Sequence, residues 1–294
     1  MSGILQSSWS LRLPARNACS VLIWVLLICV LQVESFASGA HAVGEFPYRL
    51  RRGATVAVLS SGLTLSATGL MLDAYYHLPT AEEHGLDRFD RNSVPAIDRA
   101  TMRPYSEFHH NASHAMFALA MLAPVPVMVG QERSVAQTVA VMYGQTLLLS
   151  FGLKRTLVHV FPRYRPQSYF GTGSSRLHQD QNTRKSFPSG HTAHPFAAAT
   201  FATTVFSAVY PDSRYRYAIA AGTYGVAASV ATLRVMAGKH FLSDVVAGAA
   251  LGSFAGWLVP RLYRAEREPS HEIRPLLDLQ GAGVLIQVPF RPRA

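Results

Sequence analysis

The sequence predicts an all-α fold, a helical bundle embedded in a membrane, and three observations predict it. Of 294 residues, 49% are hydrophobic and only 15% are Asp, Glu, Lys or Arg, a balance displaced from soluble domains toward bilayer proteins. From Ala112 onward, apolar runs of helix length recur between polar turns. Gly222, Gly225, Gly248, Gly252 and Gly256 lie on these runs and supply the small surfaces through which helices approach closely in lipid. A mean hydropathy of +0.14 is nevertheless low for a chain mostly inside a bilayer, so substantial polar segments lie outside it.

Residues 1–40 read as a signal peptide or, alternatively, an uncleaved N-terminal anchor. Arg12 and Arg16 precede the apolar run Cys19–Val33, and Ser35-Phe36-Ala37 offers small residues at a cleavage site. Both cysteines, Cys19 and Cys29, fall in this segment. Cleavage then leaves no thiol, which suits an oxidising compartment without requiring a disulfide. Residues 41–111 contain Ala54–Leu72, which is apolar but interrupted by Ser60, Ser61, Thr64 and Ser66 and can span or lie against the bundle. The mixed-charge stretch Asp73–Asn111 reads as a loop with one short helix and no catalytic constellation.

Residues 112–265 are the predicted bundle. Ala112–Gly130 has no Asp, Glu, Lys or Arg and is kinked at Pro124 and Pro126, and Val135–Leu153 completes a helical hairpin with it. A polar loop follows from Arg155 to Lys185, then an Ala-rich helix over Thr192–Tyr210, a turn at Pro211–Arg214, and helices over Tyr217–Leu233 and Phe241–Pro260. Residues 266–294 form a C-terminal tail. Gly281–Phe290 has strand character there, but one apolar segment makes no sheet by itself.

The net charge of +10 raises nucleic acid as a partner. The basic residues are scattered over loops beside apolar segments, however, without basic helices or stacking motifs, so no nucleic acid is expected. Anionic lipid headgroups and phosphate-bearing substrates are the better match.

The densest chemistry lies between Lys154 and Asp244. His240 and Asp244 are four residues apart. On a helix they share a face, so the carboxylate can accept from one imidazole nitrogen and leave the other free. Such an imidazole is either a general base or, facing phosphorus, a nucleophile. Pro188-Ser189-Gly190 reads as a bend exposing backbone N–H groups ahead of a helix N-terminus, which favours anions. His191 at that junction is placed to protonate a leaving oxygen. Lys154, Arg163, Arg165 and Arg234 supply cations, and the Arg fork suits phosphate oxygens. Two His and one Asp without a Cys or Glu cluster argue against a metal, and no cofactor is expected.

The set Lys154…Arg165-Pro166, Ser189-Gly190-His191 and Arg234-x5-His240-x3-Asp244 resembles the type 2 phosphatidic acid phosphatase superfamily, which also contains vanadium haloperoxidases and class A acid phosphatases, over about a third of the chain. The resemblance implies His240 as nucleophile, Asp244 as its orienting partner and His191 as general acid. It implies Arg165, Ser189, Gly190, Arg234 and Lys154 as phosphate ligands. Two departures stand out. Ten residues separate Lys154 from Arg165 where the family has six; four extra residues are one helical turn, so Lys154 is expected to keep its facing and shift by roughly 6 Å. It therefore ranks below the other ligands, with Arg155 or Arg163 able to take over. Leu233 also stands where the family has Ser, which removes an auxiliary hydroxyl.

Parity places all three motifs, and with them the catalytic site, at one membrane face. The opposite loops carry Arg133, Arg214, Arg216, Arg261, Arg264 and Arg267, but the active face is basic too, so charge counts alone leave orientation open. The expected setting is the inner membrane with the active site facing the periplasm or exterior. The expected activity is metal-independent removal of phosphate from a phospholipid, polyprenyl or lipid A type phosphate, or from a lipid pyrophosphate. The alternatives are a soluble periplasmic acid phosphatase or haloperoxidase on the same residues, and a non-enzymatic lipid-binding membrane protein. Oligomeric state is not legible.

Overall fold

The computed structural model describes residues 46–76, 79–85, 89–129, 131–170, 181–265, 272–278 and 281–287. The expected signal or anchor and both cysteines lie outside the described residues. In chain order the helices are α1 (Arg52–Tyr75), α2 (Ala81–His84), α3 (Ala96–Thr101), α4 (Glu107–Met121), α5 (Val125–Met128), α6 (Arg133–Val160), α7 (Gly190–Val209), α8 (Arg216–Met236) and α9 (Leu242–Leu262). Among the described residues, four stretches are long and apolar enough to cross a membrane: α1, the α4–α5 pair Glu107–Met128, α8 and α9. Large apolar side chains such as Val56 and Met71 on α1, and Val246, Phe254 and Trp257 on α9, are exposed along these helices. That surface belongs in lipid, and it sets aside the soluble alternative.

The mixed-charge segment is more structured than expected. It carries α2, α3 and the first turn of α4, and α4 begins at Glu107, ahead of the apolar run. The Pro124–Pro126 kink is the break between α4 and α5. Helix α6 continues two turns beyond Leu153, to Val160, because its end lies at the polar face of the bundle and not in the hydrocarbon. In the C-terminal tail, β2 (Gly281–Gln287) does have a partner, β1 (Glu272–Asp278), in an antiparallel hairpin that pairs Glu272 with Gln287 and Asp278 with Gly281. The partner strand carries Glu272, Arg274, Pro275 and Asp278, which hid it from an apolar-run criterion.

Helix α7 is central, packing against α9, α8, α6 and α4, with α1 on the far side of α6. The core joins Val139, Met142 and Leu149 of α6 to Phe201, Val205 and Phe206 of α7 and Ala255 and Val259 of α9. Helix α1 runs the whole height of the bundle. At one end Arg51 Nη2 donates to the Arg264 carbonyl beyond α9 (3.1 Å); at the other Asp73 pairs with Arg155, Lys185 and His159. The span-or-lie ambiguity for this segment therefore resolves as a helix that joins both faces.

The α7–α9 contact depends on missing side chains. A Cβ on Gly248, Gly252 or Gly256 falls 2.5, 1.9 or 2.4 Å from the carbonyl oxygens of Ser189, Ala193 and Ala197. Gly222 and Gly225, expected to serve the same purpose, face open space instead. Gly252→Ala should therefore force the two helices apart and cost about 3 kcal/mol or more. Gly222→Ala should be neutral or stabilise by about 0.5–1 kcal/mol through better helix propensity. Thermal unfolding in detergent compares the two, and equal effects would show that the close approach is not limiting.

Candidate active site

The three motifs meet at one end of the bundle. The C-terminal half of α6 brings Lys154, the loop after it Arg163 and Arg165, the α7 N-terminus Ser189, Gly190 and His191, the end of α8 Arg234, the α8–α9 connection His240, and the first turn of α9 Asp244. Backbone pairing fixes the loops. Arg163 N–H donates to Arg184 O (3.0 Å), Arg165 N–H to Thr183 O (2.8 Å) and Ser186 N–H to Arg163 O (3.0 Å). Gly238 ends α8 at φ 65°, and a Cβ there would lie 2.5 Å from Arg103 O. Only glycine meets both demands, and its carbonyl accepts Gln167 N–H (3.0 Å).

That turn corrects the helical reading of the His240–Asp244 spacing. His240 precedes α9 and is not on it; Asp244 lies in the first turn of α9, and its Oδ2 accepts Phe241 N–H (2.9 Å). The His240 Nδ1 to Asp244 Oδ2 distance is 3.7 Å, too long for a hydrogen bond. Nδ1 donates instead to the Ser186 carbonyl (2.8 Å). A carbonyl only accepts, so the proton sits on Nδ1 and Nε2 keeps its lone pair. Asp244 acts one bond further out, accepting the Ser186 hydroxyl (2.5 Å).

Lys154 has not left the site. The extra residues follow it, as further turns of α6 and the loop beyond, and its stem lies against Gly190, 3.0 Å from where a Cβ would be. Arg163, offered as its substitute, is committed elsewhere: Nη1 donates to Asp244 Oδ1 (2.7 Å) and Ser243 Oγ (2.7 Å), and Nη2 to Asp98 Oδ2 (2.7 Å). Burial works against its charge, but Asp244 and Asp98 outweigh burial and raise its pKa. Arg165 Nε donates to Asn182 O (2.9 Å). Ser189 N–H is spent on the Asp244 carbonyl (3.0 Å), so the bend exposes fewer free amides than its sequence implies.

Several site residues escaped the sequence reading. Buried Arg234 donates from Nη1 to His110 Nδ1 (3.0 Å) and Ser113 Oγ (3.2 Å). His191 Nε2 meets His114 Nδ1 (3.3 Å), and the His110, His114 and His191 rings follow one another edge to face. His110 and His114 thus line the site; their four-residue spacing on α4 was the available signal. His194 instead pairs with Ser150 Oγ (3.1 Å). Asp98 and Ser243 had no sequence signal, because their link to Asp244 is tertiary.

His240 is neutral. Burial is the largest cause, Arg165 and Arg234 add to it, and together they outweigh Asp244 and push the imidazole pKa down to about 3. His191 lies within electrostatic reach of His240, Arg234 and Arg165. The site is thus a buried imidazole with a bare nitrogen, a second imidazole near it, and cations around both. Among the described residues, no group of three or more His, Cys, Asp or Glu is arranged to hold a metal.

Residues 139–268 match the sequence profile of the PAP2 superfamily. A lipid A 1-phosphatase of Porphyromonas gingivalis is 36% identical over 93 residues, which is 30% of this chain and 20% of that protein. The chain thus matches about a fifth of the length of that relative. Among solved structures, a PAP2-type phosphatidylglycerolphosphate phosphatase from Bacillus subtilis superposes with a TM-score of 0.39 at 20% identity, covering 68% of this chain and 94% of that one. Aquifex aeolicus LpxE superposes with a TM-score of 0.37 at 23% identity, covering 55% and 92%.

Proposed function

We propose that the chain, whose residues 139–268 match the PAP2 superfamily, is a membrane-embedded phosphatase that removes phosphate from a lipid phosphate or lipid pyrophosphate. The observation that carries this reading is His240 Nδ1 held on the Ser186 carbonyl, which leaves Nε2 bare with Arg165 and Arg234 within electrostatic reach of the ring. Nε2 forms a bond to phosphorus as the ester P–O bond breaks, and His191 gives its proton to the departing oxygen. Water then attacks the phosphohistidine and yields its proton to His191. The N–P bond breaks, and the products are inorganic phosphate and the lipid alcohol, or the lipid monophosphate from a pyrophosphate. Arg165, Arg234 and Lys154 offset charge on the equatorial oxygens.

Exposed apolar helices around the site favour a lipid substrate over a soluble ester. Phospholipid, polyprenyl and lipid A type phosphates share the chemistry that these cations read. The face opposite the site presents Arg51, Arg52, Arg133, Arg214, Arg216, Arg261 and Arg264, which supports a cytoplasmic position for that face and a periplasmic or exterior site.

Detergent-purified protein should release phosphate from at least one lipid of such a panel, and activity should survive EDTA. Complete loss restored only by a divalent ion would overturn the mechanism, and no release from any lipid would overturn the function. Because Lys154 lies against Gly190, Lys154→Ala should cost as much activity as Arg165→Ala, each about 10²-fold. A small loss at Lys154 would show that the cation does not reach phosphate.

A further inference from the structure

We propose that Asp98 is a positioning residue for this reaction, acting on His240 through Arg163, Asp244 and Ser186; the inference rests on the reading of His240 as the nucleophile. Asp98 lies on α3, in the polar segment ahead of the bundle and outside residues 139–268. It is 2% exposed. A carboxylate is buried so fully only when its oxygens are paired, and these are. Oδ2 accepts Arg163 Nη2 (2.7 Å) and the Ser243 hydroxyl (2.7 Å), and Oδ1 accepts Ser243 N–H (2.9 Å).

The consequence lies on the other arm of Arg163, which donates to Asp244 Oδ1 (2.7 Å) while its plane rests 4.0 Å over the Phe241 ring. One guanidinium therefore serves two carboxylates. Orientation is the first effect: with Nη2 fixed by Asp98, Nη1 is aimed at Asp244, whose Oδ2 then holds the Ser186 hydroxyl, and the Ser186 carbonyl holds His240 Nδ1. Charge is the second. Forming the N–P bond places positive charge on the imidazole, and the nearest anion to meet it is Asp244, 3.7 Å from Nδ1. Arg163 alone would neutralise that anion. Sharing Arg163 with Asp98 leaves the group of two carboxylates and one guanidinium with net negative charge when the imidazolium forms.

Asp98→Asn keeps the shape and removes the charge. With kcat expressed per molecule that forms phosphoenzyme, so that misfolded protein is not counted, it should fall by about 10–100-fold with KM changed less than about threefold. Asp98→Glu should recover part of the loss. In the Arg163→Lys background the Asp98→Asn effect should shrink to less than about threefold, since both act on one path. A drop in melting temperature with kcat per labelled molecule unchanged, or additive losses in the double-mutant cycle, would overturn the proposal and leave Asp98 a structural tie. Should Asp98→Asn fail to fold, Ser243→Ala removes only one hydroxyl from the same network, and unchanged kcat there would overturn it equally. His240→Ala is assayed alongside: retained activity in that variant would sink the phosphatase mechanism itself, whatever Asp98 does.

Discussion

His240→Ala should abolish both turnover and phosphoenzyme labelling, a loss of at least about 10⁴-fold. His191 pairs with His114, and Lys154, Arg165 and Arg234 are cations whose protons leave no lone pair for phosphorus. The same residue sets a pH response of stability. Its folded pKa, about 3, lies below the ordinary 6.5, so the unfolded chain binds the extra proton first. The stabilisation from the buried neutral ring is complete above about pH 6.5 and is lost as pH falls toward 3. Thermal unfolding should therefore lose less between pH 7 and 4 in His240→Ala than in the parent, and an identical loss in both would show that the ring is not buried neutral.

His191→Ala fails differently, because a general acid matters in proportion to how badly the leaving group needs a proton. Lipid alkoxides leave poorly, so turnover of lipid phosphates should fall by about 10²-fold or more. An activated aryl phosphate leaves without protonation and should fall by less than about tenfold. The contrast is measured as the ratio of kcat/KM for the two substrates in each protein. An unchanged ratio would mean that His191 binds substrate and does not protonate it.

The long helices were legible because apolar runs of that length have few other uses, and their ends were misplaced where helix continues into the polar face, as α6 does to Val160. The motif residues were legible because their order and spacing are specific. The wiring among them was not. Four-residue spacing predicts a shared helical face only on a helix, and the positive φ of Gly238 puts His240 in the turn before α9. Asp98 and His110 reach the site from a segment whose charge pattern reads as loop, and nothing in the local sequence tells which distant carboxylate Arg163 will hold. Spacing alone reads the residues inserted after Lys154 as a displacement, and the contact of its stem with Gly190 is visible only in three dimensions.

The residue on which the phosphoryl group is caught tests His240 as the nucleophile most directly. Brief reaction with radiolabelled lipid phosphate, quenched in alkali to preserve phosphohistidine, should place the label on the peptide that holds His240, with less label in Asp244→Asn. Label on the peptide that holds His191, or no acid-labile label at all while turnover proceeds, would contradict it.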